Sequence, residues 1–211
     1  MVKKICILTK SVKDRAYCVA GIDVGTGKWI RLVSSKSGEA VSKELFDDKK
    51  NPINVLDVVA VNLIEHIPQK CQTENWLLDV DAPIIGQGRL TMSEVLRIRK
   101  IDTPQFIFAN DKAELTADDV KRLNHSLLAV EVFDIVFDTS LKGDGRHHHK
   151  VSFIYMGNEY TICLTDPDFR KEELDKFKLK KAILIVSIPC EPYGENDLYY
   201  KFAAKIFTRE L

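Results

Sequence analysis

The 211-residue chain is long enough for one domain or for two of about 100 residues each, and its 31 Lys and Arg balance 31 Asp and Glu, so composition alone carries no polyanion-binding signal. Five cysteines (Cys6, Cys18, Cys71, Cys163, Cys190) with no C-x-x-C pair argue against a disulfide framework or zinc ribbon; they read as reduced thiols of a cytoplasmic protein, each a small buried hydrophobe. No stretch approaches the ~20 apolar residues of a membrane span, and Lys3-Lys4 precede only "ICILT" before Lys10, too short for the apolar core of a secretory leader.

From the N-terminus, "KKICILTK" predicts a strand and "SVKDRA" a basic loop. "YCVAGIDVGTGKWIRLVS" follows as a β-hairpin whose second arm alternates, Ile30 and Leu32 to one side and Trp29, Arg31 and Val33 to the other. Pairing Ile30 and Leu32 with Cys18, Ala20 and Ile22 in a core would leave Tyr17, Trp29 and Arg31 together outside. "SGEAVSKELF" predicts a short helix with Ser37 as cap, "VLDVVAVNLIE" a long strand, "HIPQKCQ" a loop and "TENWLLDV" a fifth strand.

"TMSEVLRIRK" and "TADDVKRLNH", capped by Ser93 and Thr116, flank "IDTPQFIFAN" and read as a structured connector over 91–124. "SLLAVEVFDIVFDTS" is then a strand, "LKGDGRHHH" a cationic loop, and "KVSFIYM" with "EYTICLT" a hairpin around Gly157-Asn158. "DPDFRKEELDKF" predicts a helix capped by Asp166, with Pro167 in its first turn. "KAILIVSI" and "LYYKFAAKIFT" complete the set on either side of "PCEPYGEND". Both halves run β-β-β-α-β-β, the order of a five-stranded OB barrel. The reading is a mainly β chain with short helices: barrel one at 1–90, the connector at 91–124 and barrel two at 125–211. An SH3-like or PUA-like barrel stays open for either half.

The series "YCVAGID…GKWIRLVS", "P…TENW" and "YTICLTDP…VSIP…EP…YKFAAKI" resembles the dual OB-containing domain proteins of prokaryotes over nearly the whole chain. The resemblance implies two tandem OB-like barrels and a nucleic-acid-sensing or tethering role in genome defence, with no catalytic residues. "SIPCEP" departs from the glycine-containing turn expected there.

OB barrels bind ligands across strands two and three, between the loops after strands one and four. In the first half that rule selects Tyr17, Trp29 and Arg31, with Lys10, Lys13 and Arg15 on one loop and Lys70 on the other; in the second half it selects Arg146 and Lys150. Aromatic rings that stack bases beside cations that meet phosphates are what single-strand binding needs. The alternative is internal: Trp29 packs under the connector and Arg31 pairs with an acid of residues 51–120. Charge is uneven, with 11 cations against 6 acids in residues 1–50 and 6 against 11 in 51–120. His147 and His149 share a face of an extended chain with His148 opposed, so no third metal ligand converges locally. Asp166 and Asp168 read as capping residues. Strands two and three of the second half are apolar on both faces, with Ile154 and Met156 opposite Val151, Phe153 and Tyr155, which marks that hairpin as covered and its barrel as mainly scaffold. The sequence therefore indicates a non-catalytic binding module without metal or cofactor. Its partner is a nucleic acid, single-stranded in preference to duplex, or alternatively a protein.

Overall fold

A computed structural model describes residues 1–13, 16–41, 45–141, 147–171, 174–193 and 196–208. The chain divides into two compact units, Met1–Lys100 and Ile101–Leu211. Residues 91–100 of the expected connector lie in the first unit and 101–124 in the second. No described helix is long and apolar enough to cross a membrane.

The first unit is built on β1 (Val2–Lys13), β2 (Ala16–Asp23), β3 (Trp29–Val33), β4 (Asp57–His66) and β5 (Asn75–Leu78). They join in the order β1-β2-β3-β5-β4, and β4 pairs back onto β1 to close the ring. β3 and β5 run parallel and every other pair in the ring is antiparallel. Ile5, Ile7, Val19, Ile30, Leu32, Val61 and Leu63 fill its interior, each contributing ~1.5–3 kcal/mol of burial. β6 (Ile85–Arg89) adds to the free side of β4; its "IGQGR" lacks the alternation that announces a strand. Helix α1 (Met92–Ile98) follows, and its cap is Thr91 rather than Ser93: Thr91 Oγ1 accepts from Glu94 N, while Glu94 returns a carboxylate to Thr91 N at 2.7 Å.

The second unit repeats this ring. β8 (Leu127–Leu141), β9 (His147–Tyr155), β10 (Asn158–Leu164), β11 (Lys178–Ser187) and β13 (Phe202–Thr208) close as β8-β9-β10-β13-β11, again with the third and fifth strands parallel. Both units thus have one OB strand order. Phe153 and Tyr160 stack inside, ring centroids 5.6 Å apart. The segment before β8 is tied to this barrel. β7 (Glu114–Leu115) pairs with β12 (Tyr199–Tyr200), and α2 (Ala117–Lys121) starts at Thr116 as the sequence indicates. Tyr155 Oη donates to Pro104 O at 2.5 Å, and Tyr160 Oη donates to Asn110 O at 3.3 Å. Lys201, wholly buried, donates to Asn110 O (2.7 Å), Asn110 Oδ1 (2.9 Å) and Lys112 O (2.7 Å). Those acceptors satisfy all three ammonium protons, yet burial still pushes the Lys201 pKa down to about 8.

Two expected helices are absent among the described residues. Over 37–41 the chain instead bridges Val33 to Ala40 and Tyr17 to Val41. Ser34 Oγ donates to Ala40 O, Ser35 Oγ accepts from Glu39 N, and Gly38 turns at φ +78°; hydroxyls that hold backbone groups locally compete with a helix. Residues 42–44 of that prediction lie outside the described residues. Over 167–169 there is a turn, and residues 172–173 of that prediction lie outside the described residues. The Asp166 carboxylate, fully buried, accepts from Ile206 N at 2.9 Å, Lys205 Nζ at 3.2 Å and Asp168 N at 3.1 Å, which ties it to β13. Asp168 also pairs with Lys205, so both acids are structural, though not as helix caps. Phe169 stacks on Phe137 at 5.1 Å.

Candidate nucleic-acid interface

The two barrels treat the face across their second, third and fifth strands differently. In the first, the register sets Val19 opposite Leu32 and Gly21 opposite Ile30, so the odd-numbered residues of β2 face the core with Ile30 and Leu32. That reverses the expected pairing. Tyr17 packs against the interior cluster, and Ala20 and Ile22 share the outer side with Arg31 and Trp29. Gly21 permits this register, because a Cβ there would meet Cys6 O at 2.0 Å.

That outer side is closed. One row runs Ala20–Arg31–Asn75 across β2, β3 and β5, and all three residues are buried (1%, 7% and 0% exposed). Arg31 reaches Glu74 Oε1 at 3.3 Å, and its backbone N–H donates to Glu74 O at 2.8 Å. Arg31 is therefore a buried ion-pair partner and not a surface cation. Trp29, half-buried, lies under the Arg99 guanidinium at 5.1 Å, and Arg99 donates to Gly27 O at 3.3 Å, which fastens the end of α1 to the hairpin turn. Lys10 sits 5.0 Å over the Tyr17 ring and donates to Ile53 O at 3.1 Å. Lys70 is exposed in the tight turn between Gln69 and Gln72. The structure thus joins Lys10 with Tyr17 and Trp29 with Arg99, but does not assemble Tyr17, Trp29 and Arg31. The Lys13 side chain, Arg15 and Arg146 lie outside what is described.

In the second barrel the corresponding row is Lys150–Cys163–Phe202 across β9, β10 and β13, and all three are only half-buried. His147 to Lys150, expected as a loop, extend β9: Thr139 pairs with His149 and Leu141 with His147. Alternation turns His149 inward, where Nδ1 meets Thr139 Oγ1 at 3.1 Å, and His148 outward, where Nε2 lies 3.5 Å from Cys163 Sγ. No group of three or more metal-ligating side chains forms among the described residues. Beside the row opens a cavity of about 360 Å³. Its wall combines His147, His148 and His149 of β9 and Cys163 and Leu164 of β10 with Arg170, Tyr193 and Tyr200, the last two from the segment between the fourth and fifth strands of the barrel. The hairpin is not fully covered: Met156 is 58% exposed and Ile154 half-buried.

Arg170, Tyr193, Tyr200, Phe202 and His148 were missed as site residues in the sequence. The signal was present: "PCEPYGENDLYY" is the loop after the fourth strand, one of the two walls that the OB rule names, with three tyrosines in it or beside it.

The family model of the dual OB-containing domain matches residues 3–206. Among solved structures, the chain is similar to a murine DNA-binding protein bound to double-stranded DNA, at 8% identity and TM-score 0.37, covering 99% of this chain and 98% of that one. It is also similar to the tetrameric p202 HIN2, at 9% identity and TM-score 0.36, covering 99% and 94%. No curated protein matches the sequence.

Proposed function

Because the chain belongs to the dual OB-containing domain family, we propose that it binds nucleic acid on the open face of its second barrel, with the first barrel as a closed support. The observation that carries this is the contrast between the two equivalent rows. Ala20–Arg31–Asn75 is buried, with Arg31 paired to Glu74, whereas Lys150–Cys163–Phe202 is only half-buried and lies beside a cavity walled by tyrosines and an arginine. Rings offer stacking faces that accept any base, and cations meet phosphates; together they make a surface for a strand rather than a reaction centre. The protein acts by holding this ligand, as a sensor or tether in a defence system, and not by turnover.

Fluorescence anisotropy with single-stranded and duplex oligonucleotides at two salt concentrations tests the reading. Affinity should fall as salt rises, and Lys150→Gln should flatten that dependence as one phosphate contact is lost. Absence of binding at low salt would remove the proposal.

A protein partner is the second reading. Phe133 (42% exposed) pairs in register with Ile154, near Met156, and forms an apolar patch on the outer side of β8 and β9. Pull-down competition between a protein partner and oligonucleotide, using Phe133→Ser, separates the two surfaces.

A further inference from the structure

The cavity of the second unit is more particular than a general surface for a polyanion. At about 360 Å³ it lies at the small end of the ~300–1,000 Å³ range of sites that enclose one small molecule. Tyr193 stands at its rim 73% exposed, a large ring left in water. The ring is not loose: the Tyr193 N–H donates to Leu198 O at 2.8 Å, and the side chain meets Tyr200 edge-on, centroids 6.3 Å apart at 86°. An edge-on neighbour steadies an aromatic ring without covering its face. Arg170, exposed on the same wall, supplies a cation whose planar fork matches phosphate oxygens.

We infer, resting on the nucleic-acid reading of this face, that the cavity takes one nucleotide at a time, an unstacked base against Tyr193 with its phosphate at Arg170. The volume admits one ring system with its sugar and phosphate. A base inside a duplex is covered above and below by its neighbours and reaches such a ring only when flipped out. The site therefore selects single strands and strand ends, and a free nucleoside monophosphate is a ligand in its own right.

The test uses the full chain and uridine 5′-monophosphate, with uridine and inorganic phosphate as the two half-ligands. The monophosphate should displace a labelled single-stranded oligonucleotide, and each half-ligand should need at least about tenfold more. Tyr193→Ala and Arg170→Gln should each weaken the monophosphate about tenfold, the loss of one stacking or one charged contact. A second readout needs no oligonucleotide. Cys163 lines the same cavity, so its alkylation by iodoacetamide, followed by mass spectrometry, should slow when the monophosphate is bound. If oligonucleotide binds but the monophosphate neither displaces it nor protects Cys163, the subsite is refuted and the face reading stands. If the monophosphate protects Cys163 and no oligonucleotide binds, the subsite is supported and the nucleic-acid reading falls. If neither ligand binds, both fall.

Discussion

Replacing Trp29 by alanine should destabilise the first unit and leave nucleic-acid binding unchanged. A fully buried Trp→Ala change costs about 3–5 kcal/mol. Trp29 is only half-buried, which brings the packing loss to about 2–3 kcal/mol. Loss of the Arg99 guanidinium above the ring adds about 0.5–1 kcal/mol. Against that, Trp29 Nε1 is buried and finds no hydrogen-bond partner among the described residues, and removing a desolvated donor returns about 1 kcal/mol. The net loss is about 1.5–3 kcal/mol, and in a unit of about 100 residues each kcal/mol moves the melting point by ~4–8 °C. Differential scanning calorimetry should therefore show a transition lowered by roughly 6–24 °C. Anisotropy measured below that transition should give the parent affinity. An unshifted transition with binding weakened by tenfold or more, the loss of a stacking platform, would refute the packing argument and restore Trp29 as a ligand-facing ring.

The buried Lys201 gives the second unit a pH signature. Its folded pKa is about 8 against an ordinary 10.5, so between those values the unfolded chain holds more protons at this site and its contribution to stability rises with pH, by at most ~1.4 kcal/mol per pH unit; in denaturant melts the stability of the parent relative to Lys201→Met should rise with pH over that range. Glu74→Ala should cost about 3–5 kcal/mol by removing a carboxylate partner of the buried Arg31 charge, read as a fall in denaturation midpoint, whereas a near-neutral result would mean that water reaches the pair. Cys6, whose thiol is pushed up to about 12 by burial, should resist alkylation in the folded protein and react only on unfolding. Rapid native labelling at Cys6 would contradict the closed face around it.

The strand order was legible because both halves write their strands as apolar runs separated by Gly, Pro and polar loops, and "YMGNEY" signals a tight turn. The faces of the first hairpin were not. "YCVAGI" is apolar at nearly every position, so alternation cannot say which parity faces inward, and the choice fell to Gly21 lying against Cys6. The two lost helices share another cause. Ser34, Ser35 and Asp166 are residues that hold backbone groups either as helix caps or as turn anchors, and the partners that decide, Ala40 and Ile206, lie outside any local window in the second case. The cavity was not legible because Tyr193 and Tyr200 stand in a Pro- and Gly-containing loop with no periodic pattern, and Arg170 and Cys163 reach it from distant parts of the sequence.

The most direct test of which barrel meets the ligand is photo-crosslinking of the full chain to a single-stranded oligonucleotide containing a photoreactive pyrimidine, with crosslinked peptides identified by mass spectrometry. The account predicts adducts in the segment carrying Tyr193, Tyr200 and Phe202, lost when excess unlabelled strand is added. Adducts concentrated on the segment carrying Tyr17, Trp29 and Arg31, with none near Tyr193, would contradict it.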